Sequence, residues 1–260
     1  MSTIIETLDL LRFVSIENEQ FLISLANNRD EFDLISQIQG LYSAAFSGKA
    51  APENDIVVFQ LLAFTHYHFL FSTSCLMRCH LSEAFASARA AIDGALIGAQ
   101  IIHDRPSQVA YERCEKPFDN FARYLGNLIK DGKELPHPLV PTLFAQHKQI
   151  STFASHADVR SFVHRVDVVS EPEEMATVEY FQFSKNEAER KIHGLTLFHT
   201  FLMVLDVFSD FLVLEQKVVP QEWQTQLHWL RQCIQTHHAE LKKTLPLDEG
   251  AKESFAAEPT

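Results

Sequence analysis

Between Ile56 and Ile102 the chain carries only four charged residues, Arg78, Glu83, Arg89 and Asp93, and no other feature constrains its fold as strongly. A span that poor in charge goes to the centre of a protein. Within it, Leu81, Phe85, Ala88, Ile92, Ala95, Ala99 and Ile102 recur at alternating spacings of four and three, which marks one face of a helix from His80 to His103. A second stripe, Ala84, Ser87, Ala91, Gly94, Gly98 and Ile101, consists mostly of small residues, so a neighbouring backbone can approach closely. The helix is therefore covered on at least two sides. A tight turn near His80 to Ser82, with Ser82 as N-cap, joins it to an apolar helix over 55–79, and the two form a buried hairpin.

The third stripe carries Arg89 and Asp93, four residues apart and able to pair along the helix. A buried charge left unpaired costs several kcal/mol, so both need partners or a function. Asp206 and Asp210 lie four apart in the apolar run from Leu195 to Leu214, and are the expected partners of Arg89. These four residues, Arg89, Asp93, Asp206 and Asp210, together with Ser155, are the candidate binding residues.

The rest of the chain reads as helices with few exceptions. The pattern predicts helices over 3–27 and from about Phe32 to Ala45, separated at Asn27-Asn28-Arg29-Asp30. Asp104-Arg105-Pro106 ends the central helix and starts one from Pro106 to Ile129, kinked at Pro117. A Pro-rich loop over 132–141 leads to a helix from Pro141 to Ser155. Alternating and β-branched residues over 166–169 and 177–183 flank a turn-like Ser170-Glu171-Pro172-Glu173-Glu174, predicting a small hairpin. Ser184 with Glu187 forms a capping box for a helix to Lys217, and a last helix runs from Pro220 to Leu245. Residues 1–245 are expected as one domain with an N-terminal helical pair over 1–47, a core over 55–217 and a C-terminal helix over 220–245. Residues 246–260 lack periodicity and are expected to form a disordered tail. The fold class is all-α, a multi-helix bundle of about seven helices with one small β-hairpin insertion.

Composition excludes several functions. A net charge of -12 opposes nonspecific binding to DNA or RNA, which needs clustered cations to displace counterions from phosphates. Cys75, Cys79, Cys114 and Cys233 form no CxxC pair, and the N-terminus lacks a basic region and a cleavage site, so a reduced, cytoplasmic protein is expected. Acidic residues and histidines interrupt the most apolar runs, which argues for a soluble core over a membrane span. Gly-rich phosphate loops, GxSxG and HExxH are absent. The single Glu-x-x-His, Glu134 to His137, falls in the Pro-rich loop rather than on a helix, and His66 and His68 point to different sides of theirs. No metal and no cofactor is expected. Helices without a wide polar face leave apolar surface to cover, which predicts a homodimer.

The segment from Ser155 to Arg165 concentrates His156, Asp158, Arg160, His164 and Arg165, which can supply a base and cations for a phosphate or carboxylate. The competing reading is a polar connection, with Asp158 capping the next turn. Arg231 is followed by His237, an Arg-to-His spacing that resembles the signature of the HEPN superfamily, although Gln232 stands where that family usually places Asn or Asp. The order of a buried helix with Arg89 and Asp93, a helix ending in Ser155-His156, a hairpin and two long helices also resembles uncharacterised bacterial helical proteins related to that fold. The resemblance implies a helical bundle that dimerises, with Arg and His of both chains forming a metal-independent ribonuclease site. His156 with Arg160, and Arg231 with His237, are the candidate catalytic pairs. The positions where the family carries its Arg ahead of a His hold Gln149, Ile150 and Ser151 before His156, which favours a noncatalytic or differently built site. The resulting expectation is a binding or effector module acting through protein contacts, of the bacterial defence or toxin–antitoxin type. A HEPN-like ribonuclease, with RNA as partner, is the alternative, and a small-molecule-binding bundle the third reading.

Overall fold

The computed structural model describes residues 10–46, 55–154, 166–170, 176–180, 187–214 and 221–244. They form ten α-helices, among them α1 (Leu10–Asn27), α2 (Arg29–Phe46), α3 (Ile56–Met77) and α4 (Leu81–His103). After these come α5 (Ser107–Glu112), a 3-10 turn at Phe118–Asn120, α6 (Phe121–Lys130) and α7 (Val140–Ala154). The chain then passes through β1 (Val166–Ser170) and β2 (Ala176–Tyr180), an antiparallel pair with Val168 opposite Val178. It ends in α8 (Glu187–Val207), α9 (Ser209–Leu214) and α10 (Gln221–Thr244).

The sequence pattern marks eight helical segments against the bundle of about seven expected, and the described residues hold ten helices because two of those segments divide. The one over 106–129 breaks where Cys114 adopts a left-handed backbone and Pro117 interrupts the hydrogen-bond ladder. The one ending at Lys217 breaks at Phe208, where the Ser209 hydroxyl donates to the Asp206 carboxylate at 3.2 Å. The expected N-cap at Ser82 also shifts. Helix α4 starts one residue earlier with His80 at the cap position, and Ser82 is buried in its first turn. Cys79, at φ 65°, makes the reversal between α3 and α4.

Helix α4 lies at the centre, packed against α3, α7 and α8. Its small-residue stripe permits close approach on two sides. A Cβ added at Gly94 would sit 2.9 Å from Phe64 of α3, and one at Gly98 would sit 2.7 Å from Phe208. Helix α8 is the second buried element, with every residue from Phe201 to Val207 buried. Helix α10 docks on α8 and α2, where Trp223 donates its indole N–H to the Leu41 carbonyl at 2.9 Å. Tyr42 of α2 is fully buried against Phe69 and reaches the Phe201 carbonyl at 3.5 Å. Burial raises its phenol pKa, the Thr65 hydroxyl opposing in part.

Candidate functional site

A polar cluster lies on the seam between α8 and α10. Asp206 of α8 is buried and forms an ion pair with Arg231 of α10. Ser209 donates to the same carboxylate, and His228 Nε2 stands 3.6 Å from it. His238 follows Arg231 by seven residues, two helical turns, so both project from one face of α10. His238 Nε2 lies 3.2 Å from the Thr196 hydroxyl. That hydroxyl donates its hydrogen to the Ile192 carbonyl at 2.8 Å, so it accepts from His238, which fixes the Nε2–H tautomer. Thr200 stands one turn on, its hydroxyl 2.8 Å from the Thr196 carbonyl and 3.3 Å from the Gln146 side chain of α7.

His199 belongs to the same electrostatic neighbourhood. Burial, with repulsion from Arg231 and from His238 when protonated adding to it, lowers its pKa to about 4. His137, in the loop before α7, is lowered by burial, while Asp206 and Asp210 pull it up and Arg231 pushes it down. Two buried nitrogens here, Arg231 Nε and His199 Nε2, have no hydrogen-bond partner among the described residues. A guanidinium among neutral imidazoles is a set that can exchange protons with, and hold, a phosphate. The guanidinium is, however, already committed to Asp206, so the same contacts serve as a clasp between the helices.

Helix α4 presents its charges elsewhere. Arg89 Nε is 3.1 Å from His147 Nε2 of α7, and Asp93 Oδ1 is 3.0 Å from that same nitrogen. One nitrogen cannot accept from Arg89 and donate to Asp93 at once. The neutral Nδ1–H ring is bound by Arg89, and a ring protonated at Nε2 is bound by Asp93. The expected partnership of Arg89 with Asp206 or Asp210 is not formed with Asp206, which engages Arg231 instead. Arg89 faces α7, whereas Asp206 faces α10. Asp210 is exposed at the start of α9.

Arg231 and His237 are not brought together. Six residues of helix rotate them to different sides, and His237 lines an open cleft of about 360 Å³ with Asp30, Glu31, Asp33 and Lys191. Glu31 is paired with Arg190 and Lys191 offsets one further acid, so the cleft keeps only a small negative balance around the imidazole, which disfavours phosphate. Beside this cleft, a cavity of about 50 Å³ is lined by Ser24, Asn28, Glu31, Cys79, Arg190 and His193. Arg190 pairs with Glu31 across it at 3.2 Å. Burial pushes the Cys79 thiol up to about 12, the Ser24 hydroxyl and Arg190 opposing in part, so it is no nucleophile at neutral pH. Ser155, His156 and Arg160 lie outside the described residues. Among the described residues, no group of three or more His, Cys, Asp and Glu is arranged to hold a metal ion.

Sequence reasoning missed three of these participants. His238 was legible from periodicity, since a spacing of seven keeps a face and a spacing of six does not. His147 and His199 had no such signal, because each acquires its role from a helix distant in sequence.

One outer face of α3 is apolar. Ile56, Phe64, Tyr67, Leu70 and Phe71 of α3 are 48%, 42%, 59%, 47% and 47% exposed. With Gln60, Ala63 and Ser74 they form one row on the outer face of the helix. The other faces of α3 are engaged: His66 hydrogen-bonds Gln39 of α2 at 2.9 Å, and His68 hydrogen-bonds Ser87 of α4 at 2.9 Å. Among the described residues, α3 and α4 are long and apolar enough to cross a membrane. Compared with known proteins, the chain matches no family model, no curated protein and no solved structure.

Proposed function

We propose that the chain is a helical binding or effector module that works in the cytoplasm through protein contacts. The observation that carries this reading is the outer row of α3, where five large apolar side chains stand between 42% and 59% exposed on one uncharged face. Soluble proteins rarely leave such a row open without a partner. The HEPN resemblance adds the setting, a bacterial defence or toxin–antitoxin type of system. The test is a photo-crosslinking residue placed at position 67 in producing cells, with Glu112, exposed at the end of α5, as the control position. Protein adducts at 67 and none at 112 are expected. Equal adducts at both positions would overturn the reading.

A metal-independent ribonuclease is the second reading, favoured by the common face of Arg231 and His238 beside His199. It requires Arg231 to leave Asp206 when phosphate enters. Purified protein is incubated with structured and unstructured RNA in EDTA, beside folded His238→Ala, His237→Ala and His156→Ala variants. Cleavage by the parent that is lost only in His238→Ala would replace the first reading with this one. The expected result is no cleavage, since the chain carries a net charge of -12 and the imidazole outside the seam, His237, sits among acids.

A further inference from the structure

The outer row of α3 has a pattern that narrows its partner. Reading outward from Tyr67, the residues three before and three after are Phe64 and Leu70, both large and apolar. Four residues before and after are Ala63 and Phe71, one small and one large. Seven before and after are Gln60 and Ser74, both polar and uncharged. A two-fold axis through Tyr67 therefore sets Phe64 against the partner's Leu70, Ala63 against the partner's Phe71, and Gln60 against the partner's Ser74. Large meets small, polar meets polar, and Tyr67 stacks on the partner's Tyr67.

From this pattern we infer that α3 pairs antiparallel with the α3 of a second copy, making a symmetric homodimer. The inference rests on the proposed reading of α3 as a protein-contact face and names the occupant. Self-pairing is isologous, so each contact off the axis is made twice. The row from Gln60 to Ser74 spans about 21 Å at 1.5 Å per residue, which suits a shallow helix crossing near 20°.

The area agrees with a stable dimer. Side chains of this size present roughly 200 Å² each when bare, so Phe64, Tyr67, Leu70 and Phe71, each about half exposed, offer about 400 Å². A standard interface takes about 800 Å² from each partner, of which about 65% is apolar in homodimers, or about 520 Å². The row supplies about three-quarters of that apolar share, its polar ends, Gln60 and Ser74, begin the rim, and Ile56 adds apolar area at the periphery. Charge also permits it. The net charge of -12 would oppose most self-contacts, and the row from Gln60 to Ser74 holds no charged residue; Arg78, one turn beyond, is held by the Ser74 carbonyl and hydroxyl and lies over the Phe21 ring of α1.

The experiment uses purified full-length protein. Light scattering at about 10 µM, above the micromolar-to-picomolar range of standard-size interfaces, is expected to give twice the chain mass for the parent. Tyr67→Glu and Leu70→Glu are expected to give the chain mass with unchanged circular dichroism, because both side chains stand on the surface. In a Cys114→Ser background, mild oxidation is expected to cross-link Tyr67→Cys into a dimer and to leave Ile56→Cys uncross-linked, since position 56 lies far from the axis. A parent of single-chain mass would overturn the inference, as would cross-linking at 56 but not at 67. Co-flotation of a monomeric parent with phosphatidylglycerol–phosphatidylcholine vesicles would assign the row to lipid instead. A monomeric parent whose position 67 still yields adducts with another protein in cells would sink the second copy while leaving the binding reading intact.

Discussion

Replacing Arg231 with Met tests whether the seam between α8 and α10 is held by charge. Met keeps most of the apolar stem and removes the guanidinium, so Asp206 stays in its buried position with the Ser209 hydroxyl and a distant His228. Breaking a buried pair by deleting one partner costs about 3 to 5 kcal/mol. Asp206 and Arg231 side chains remain 11% and 19% exposed, and Ser209 still satisfies one carboxylate oxygen, which lowers the expectation to about 2 to 4 kcal/mol. Asp206→Asn removes the carboxylate charge without changing its shape. In the double variant neither charge is stranded, so the pair should show a coupling of about 1.5 to 3 kcal/mol. Urea unfolding followed by tryptophan fluorescence reads this out directly, because buried Trp223 sits two turns before Arg231 on the same helix. A cost below about 0.5 kcal/mol for Arg231→Met, the ordinary range of a surface substitution, would refute the reasoning. Additive single costs in the double variant would do so as well.

The two glycines of α4 should part company. Gly98→Ala meets the fully buried Phe208 ring and is expected to cost about 0.5 to 2 kcal/mol, the overpacking outweighing the roughly 1 kcal/mol gained in helix propensity. Gly94→Ala meets the half-exposed Phe64 ring at 2.9 Å and the buried Thr65 methyl at 3.3 Å, contacts looser than those at Gly98, so a smaller cost, below about 1 kcal/mol, is expected; equal melting shifts for the two variants would count against the packing argument. Burial holds the His199 pKa at about 4 in the folded protein against 6.5 when unfolded, so the unfolded chain takes up the proton first on acidification. The stability contributed by its neutral form is full above pH 6.5 and declines as the pH falls from about 6.5 to about 4, by up to roughly 3 kcal/mol. His199→Gln is expected to show a shallower loss over that window in urea titrations, and a slope identical to the parent's would contradict the assignment.

Local sequence determined much of this architecture. The spacing of apolar and small residues from Leu81 to Ile102 marks a helix covered on more than one side, and Gly94 and Gly98 take up close contacts from Phe64 and Phe208 as that spacing requires. His66 and His68, two residues apart on α3, reach α2 and α4 respectively, as helix periodicity dictates. These features were legible because they depend on residues within two turns of one another. Partner choice was not. Arg89 and Asp206 each needed an opposite charge, but the faces they occupy are set by how α4 and α8 are rotated in the bundle, and that rotation gave them His147 and Arg231. The exposed row of α3 shows the same limit more plainly. The helix is apolar on every side, so its sequence holds no preference for which side is left open. The packing of α4, α8, α2 and α1 against its other faces decided that Phe64, Tyr67, Leu70 and Phe71 would be the ones turned outward, because a helix with no polar face is oriented by its neighbours rather than by water.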